Sequence, residues 1–269
     1  MSDVQNMKVK FFIFLFIMKS INTFGQNNKP KTEIIIIGTI HTGNNQFGHK
    51  SLYKYLKNYN PDIILWEQSN KFKRVFGLKT AFFLGIAKPE IEQLALQKYS
   101  QKNKKVQILP YDTVIISRKN YIKSFVSLKQ NFYDNLFLVK KTFSDSVLYA
   151  DFTKKYKYYY SFIDTSTLFS INQNDIIDKS EELARLEETT ILNLGKTYIT
   201  DSTILKNFEN EVKFWNNRND FMVGQILKYS QQFRGKRIII LAGLNHKYYL
   251  RKDLQKNDFV SMKEFEIKK

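Results

Sequence analysis

Two stretches decide how this chain folds: EIIIIGTIHTGNN at residues 33–45 and RIIILAGLNHKYY at residues 237–249. Each is an apolar run followed by a Gly, two residues and a His. The chain has 3 His and 10 Gly in 269 residues, so a Gly three places before a given His arises by chance about 4 per cent of the time. Two such arrangements, each directly after an apolar run, point to one structural cause. Unbroken Ile and Leu, without polar alternation, mark strands buried on both faces, as in the interior of a parallel sheet. Two further runs share the pattern, DIILWE ending at Glu67 and VQILPYD ending at Asp112.

Periodicity between these runs predicts helices over Lys50 to Asn58, Glu90 to Asn103, and about Thr203 to Phe233. In the last, Leu205, Phe208, Val212, Trp215, Met222, Ile226 and Tyr229 recur at steps of three, four or seven, which predicts one apolar stripe facing the sheet. The closing run DFVSMKEFEI reads as an edge strand. From about residue 121 to 196 there is no buried-strand run. That region is rich in Tyr, Phe and Lys, contains helical stretches such as KSEELARLEE, and is expected to form a helical insertion or cap over the mouth of the sheet. The expected fold class is α/β: a mostly parallel central sheet with flanking helices and a helical insertion. No Pro- or Gly-rich linker divides residues 26–269, so they are expected to form a single domain.

The N-terminal stretch MKVKFFIFLFIMKSINTFGQNN has basic residues, an apolar run from Phe11 to Met18 and a small-residue region, the order of a secretory signal peptide. Residues 1–25 are expected to be that signal, with cleavage near Gly25. An uncleaved anchor is the other reading, although the run falls well short of the ~20 residues a spanning helix needs. The expected product is exported, periplasmic or extracellular, with no stable membrane span after cleavage. Zero Cys excludes disulfides, thiolate metal sites and a Cys nucleophile. The net charge of +18 favours anionic partners in general. Its Lys residues are scattered, however, and no finger spacing or aromatic nucleic-acid motif accompanies them. The charge is therefore read as a solvated basic surface, with no nucleic-acid partner expected.

Each expected strand delivers a chemically capable side chain at or just beyond its carboxyl end: His41, Glu67, Asp112 and His246. In open α/β sheets that edge is where ligands bind. Two neutral imidazoles and a carboxylate can hold a divalent ion with positions left for water and substrate. Such an ion permits hydrolysis without a Ser or Cys nucleophile. The expected ligands are His41, His246 and Glu67, and the Gly before each His lets the backbone turn out of its strand and approach closely. A carboxylate following IILW is costly to bury unpaired, so Glu67 is a ligand, a general base or the partner of an Arg. Asp112 is either a site group or a turn or cap residue, and His49 either an accessory group at the mouth or a surface residue opening a helix. Arg218 lies one helical turn from Trp215 and from Met222, so a guanidinium turned toward the sheet needs a carboxylate such as Glu67. The chain contains no G-x-S-x-G elbow, P-loop, G-x-G-x-x-G or H-E-x-x-H motif.

GTIH at 38–41, PDIILWEQ at 61–68, RNDFM at 218–222 and GLNH at 243–246 together resemble the TraB/PrgY/GumN family, to which the Tiki proteases are related. The resemblance spans residues 33–118 and 205–268 and leaves the middle unmatched. The second motif continues HKYYL where members usually have a Gly soon after the His. The resemblance implies an α/β fold shared with erythromycin-esterase-like and haem-binding ChaN-like proteins. For Tiki-like members it implies metal-dependent peptide-bond cleavage. Residue by residue, it implies His41 and His246 as metal ligands or bases, Glu67 as the essential carboxylate, Arg218 and Asn219 as a supporting pair, and Asp112 as the acidic residue after the third strand. The expected activity is that of an exported hydrolase using a divalent ion (Mn, Co or Zn) on a peptide or small-molecule substrate. A binding protein holding haem, a peptide or a signal in the same crevice, and a metal-free esterase with His41 as base, are the other two readings.

Overall fold

The computed structural model describes residues 30–266 apart from 42, 45, 69–71, 73–77, 86–88 and 113–126. The expected signal peptide and residues 121–126 of the expected insertion lie outside the described residues. Five strands, β1 (Thr32–Thr39), β2 (Ile63–Trp66), β3 (Gln107–Pro110), β4 (Arg237–Gly243) and β5 (Val260–Met262), form one sheet in the order β3-β2-β4-β1-β5. Every neighbouring pair is parallel. Ile34, Ile36, Ile238 and Ile240 point to one face and Ile35, Ile37, Ile239 and Leu241 to the other, each 3% exposed or less. At roughly 1.5–3 kcal/mol for each fully buried aliphatic side chain, burial on both faces is the reason these runs are unbroken.

The helices in chain order are α1 (His49–Tyr59), α2 (Leu78–Phe83), α3 (Ile91–Lys102), α4 (Ser127–Leu138), α5 (Phe143–Thr165), α6 (Asn174–Leu186), α7 (Leu192–Tyr198), α8 (Ser202–Gln232) and α9 (Leu244–Leu254). One face of the sheet is covered by α1 through Leu52 and Leu56 and by α3 through Ala95, Leu96 and Tyr99. The other is covered by the second half of α8 through Met222 and Ile226, and by α9 through Leu250 and Leu254. The apolar stripe of α8 therefore does not face the sheet along its whole length, as its spacing suggested. A 31-residue helix is about 46 Å long, well beyond the reach of strands of eight residues or fewer. Its first half turns to the middle helices instead, where Phe208 stacks on Phe132 of α4 with ring centroids 3.8 Å apart.

The region from α4 to α7 consists of helices joined by short turns, with a 3₁₀ turn at Ser170–Asn172 and a π turn at Glu187–Ile191. It is tied to the carboxyl end of β1. The Asn172 side chain accepts from the Gly38 amide at 2.7 Å and donates to the Gly38 carbonyl at 3.0 Å. Asn44 donates to the carbonyls of Ile163 and Ser166, each at 2.9 Å. Among the described residues no helix is long and apolar enough to cross a membrane.

The strand order explains the repeated motif. From β1 the chain crosses over β4 to reach β2, and from β4 it crosses over β1 to reach β5. The two connections leave adjacent strands in opposite directions, and their helices α1 and α9 lie on opposite faces. Such a switch opens a crevice at the carboxyl ends of the two strands. Both Gly-x-x-His motifs end there.

Candidate active site

In the register of β1 and β4, Thr39 pairs with Gly243, so His41 and His246 leave neighbouring strands at the same level. Glu67 directly follows β2, and Asp112 stands two residues past β3. A Cβ added at Gly243 would lie 3.2 Å from Glu67 Oε2, 3.3 Å from His41 Nε2 and 3.5 Å from His246 Cδ2. The φ of Gly243 is −54°, open to any residue, so close approach rather than backbone twist calls for glycine here.

Arg218 of α8 gathers three of these groups. Its Nη2 donates to Glu67 Oε1 at 2.7 Å and to Asp112 Oδ2 at 2.6 Å, and its Nε reaches both Asp112 oxygens at 3.2 Å. Its Nη1 lies 3.0 Å from His246 Nε2. A guanidinium can only donate, so Nε2 accepts. His246 Nδ1 then carries the proton and donates to Asn219 Oδ1 at 2.5 Å. The Trp215 ring packs on His246 with centroids 4.6 Å apart. Burial pushes His246 down to about 4, against the pull of Glu67, and leaves it neutral at pH 7. Burial raises Glu67, but the charges of Arg218 and His41, with the Gly243 amide bonded to Oε2, hold it below the usual carboxylate range. Arg218 stays charged despite burial because Asp112 and Glu67 grip it.

His41 belongs to a second branch. Its Nδ1 lies 2.9 Å from Glu92 Oε1, an oxygen that also accepts from the Thr39 hydroxyl. Burial works against protonation of His41, yet the hydrogen bond and charge of Glu92, with Glu67 and Glu90, raise it to about 9. Its side chain is 36% exposed, against 6% for Glu67 and 3% for His246, so His41 is the member that solvent reaches. Glu92 Oε2 is buried with no hydrogen-bond partner among the described residues. Glu90, bonded to Gln68 at 3.1 Å, completes a group in which His41, Glu90 and Glu92 each offer a ligand atom within 4.8 Å of the others.

The expected site residues His41, Glu67, Asp112, Arg218, Asn219 and His246 thus come together. His49 opens α1 and is half-buried, outside the bonds just described. As placed, His41, His246 and Glu67 do not fit a divalent ion. Asn219 and Arg218 take both ring nitrogens of His246, and the guanidinium stands against Glu67. His41, Glu90 and Glu92 fit better: their donors are the hard and borderline types that divalent ions accept, and the buried Oε2 of Glu92 lacks a partner among the described residues. Sequence reasoning missed Glu90 and Glu92. The signal for Glu92 was its helix, apolar nearly all round through Ile91, Leu94, Ala95, Leu96 and Tyr99, so that a carboxylate among them is drawn inside.

No protein-family model matches the chain, and no curated protein matches it in sequence. Among solved structures it is similar to a histidine-to-asparagine mutant of erythromycin esterase EreC in its open conformation, at 12% identity and a TM-score of 0.28. The similarity covers 78% of this chain and 60% of that one.

Proposed function

We propose that the chain is a hydrolase of the TraB/GumN kind, exported and acting on a peptide bond, in which Glu67 and His41 form the acid–base pair. One observation carries this reading: Glu67 Oε2 and His41 Nε2 lie 3.2 and 3.3 Å from where a methyl group on Gly243 would sit, so both converge on the space this glycine leaves free, within reach of one small reacting group. Their environments push them apart, Glu67 toward the carboxylate and His41 toward the imidazolium. Glu67 takes a proton from the attacking water as its oxygen bonds to the carbonyl carbon. His41 Nε2–H gives a proton to the leaving amine as the carbon–nitrogen bond breaks. Transfer from Glu67 back to His41 resets the pair. Glu92 holds the His41 ring in place, and Asn219 and Trp215 hold His246 against Arg218.

A metal-dependent hydrolysis, in which His41 is a neutral ligand and not the acid, is favoured by Glu92 Oε2, which has no hydrogen-bond partner among the described residues. His41, Glu90 and Glu92 would hold a Mn, Co or Zn ion. When bound, it would supply a Lewis acid for the scissile carbonyl and a more acidic water. The test uses the chain from Gln26 onward, purified without chelator, on a peptide library. The parent is expected to cleave, and His41→Ala and Glu67→Gln are each expected to lose about 10²-fold or more with unchanged melting. Full activity in both variants sinks the proposal. Near one equivalent of metal, lost in a Glu90→Gln, Glu92→Gln double variant, selects the metal version. No metal after incubation with Mn, Co and Zn selects the acid–base pair alone, and stoichiometric metal without turnover moves the binding-protein reading forward.

A further inference from the structure

A cavity of about 330 Å³ lies between the middle helices and the first half of α8, and its wall includes Trp215 and Asn219. Those two residues hold His246, so the cavity adjoins the candidate active site. Its sides are aromatic. Tyr156 and Tyr160 pack with centroids 4.5 Å apart, Tyr159 meets Tyr160 nearly at right angles at 5.3 Å, and Tyr133, Phe152 and Tyr248 complete the wall.

The charge in the cavity runs against that of the whole chain. Glu187 and Glu188 enter it from the π turn and Glu211 from α8, facing Lys129, the one cationic side chain among the described lining residues. Lys129 is engaged by Glu187 at 2.7 Å and reaches Glu211 at 3.6 Å. Burial raises Glu211 to about 6, so it is still ionised at neutral pH. Three carboxylates against one ammonium leave the cavity negative in a protein of net charge +18. Glu211 also accepts from Trp215 Nε1 at 3.1 Å, which links the cavity floor to the ring lying on His246.

We propose that this cavity is the side-chain pocket of the substrate and that it takes an organic cation, the ammonium or guanidinium of a basic residue next to the cleaved bond. The proposal rests on the hydrolase reading above. Ring faces attract a cation and cover its alkyl stem, and the surplus carboxylates complete the recognition. An anionic group is repelled, and a neutral one gains nothing from the surplus negative charge.

The test has two arms. In the first, Trp fluorescence of His41→Ala reports binding of Nα-acetyl-lysine amide against Nα-acetyl-norleucine amide, a neutral match in length. The lysine compound is expected to bind about 10-fold tighter or better, a preference worth about 1.4 kcal/mol. Glu188→Gln and Tyr160→Leu, each checked for an unchanged melt, are expected to remove most of it. Equal binding of the two compounds, or tighter binding of norleucine, overturns the pocket. In the second arm, paired peptides carrying Lys or norleucine beside the scissile bond are offered to the parent. Cleavage without preference for Lys overturns the pocket and leaves the hydrolase standing. Selective binding of lysine amide with no cleavage of any peptide upholds the pocket and overturns the hydrolase.

Discussion

At Gly243 the backbone accepts an alanine, but the added methyl would lie 3.2 to 3.5 Å from Glu67, His41 and His246. Gly243→Ala is expected to keep its melting temperature within a few degrees while turnover falls about 10²-fold. Turnover at the parent level would mean that the reacting atom does not sit beside Gly243. Arg218→Ala tests the other branch. It leaves Glu67 and Asp112 facing one another without their shared cation, and breaking a buried pair in this way costs about 3–5 kcal/mol. Loss of the guanidinium raises Glu67, so protonation relieves part of the cost as pH falls. Urea unfolding should show a larger deficit at pH 8 than at pH 5, and a deficit independent of pH would count against this pairing. His41, Glu67, Asp112 and His246 were legible in the sequence because each follows an apolar run, and Arg218 because it lies one turn from buried positions on α8, whereas Asn219 came only from the family resemblance. Their pairings were not. That Arg218 would occupy the acceptor nitrogen of His246, or that Glu92 would turn inward to His41, depends on side-chain directions across separations of 28 and 51 residues.

At the scale of one element, α8 serves two environments. Met222 and Ile226 lie against the sheet while Phe208 and Glu211 belong to the middle helices, and spacing alone cannot say what a stripe packs against. Its ends were readable: expected at about Thr203 to Phe233, it runs from Ser202 to Gln232, with Asp201 accepting from the Thr203 and Ile204 amides. Glu211 gives this helix a pH signature. Its carboxyl titrates near 6 when folded against 4.5 as the ordinary value, so folding favours the proton. That contribution is complete below 4.5 and lost as pH rises through 6. Glu211→Gln, which cannot ionise, is expected to exceed the parent in stability by about 2 kcal/mol at pH 8 and to match it at pH 4.5. Chemical unfolding at both pH values reads the difference, and a variant weaker than the parent at pH 8 would refute the sign.

Across the whole molecule, the parallel sheet was legible because burial on both faces leaves no room for alternation in the Ile runs. The order of strands was not, since β4 arrives late in the sequence and enters the middle of the sheet. Hydrogen exchange should be slowest at Ile238 to Leu241, flanked by β1 and β2, and faster in the edge strands β3 and β5. Edges protected as strongly as the centre would contradict this order. One edge is finished in an unusual way. β5 pairs only with Thr32, Glu33 and Ile34, so β1 runs on past its neighbour, and at Gly38 the carboxamide of Asn172 takes both the amide and the carbonyl. A carboxamide presents the same N–H and C=O pair as a peptide unit. Asn172 therefore acts as a single rung of a sixth strand, borrowed from the middle helices. The ladder of β1 and the middle helices are in this sense one zipper, and those helices cannot part from β1 without opening its last tooth.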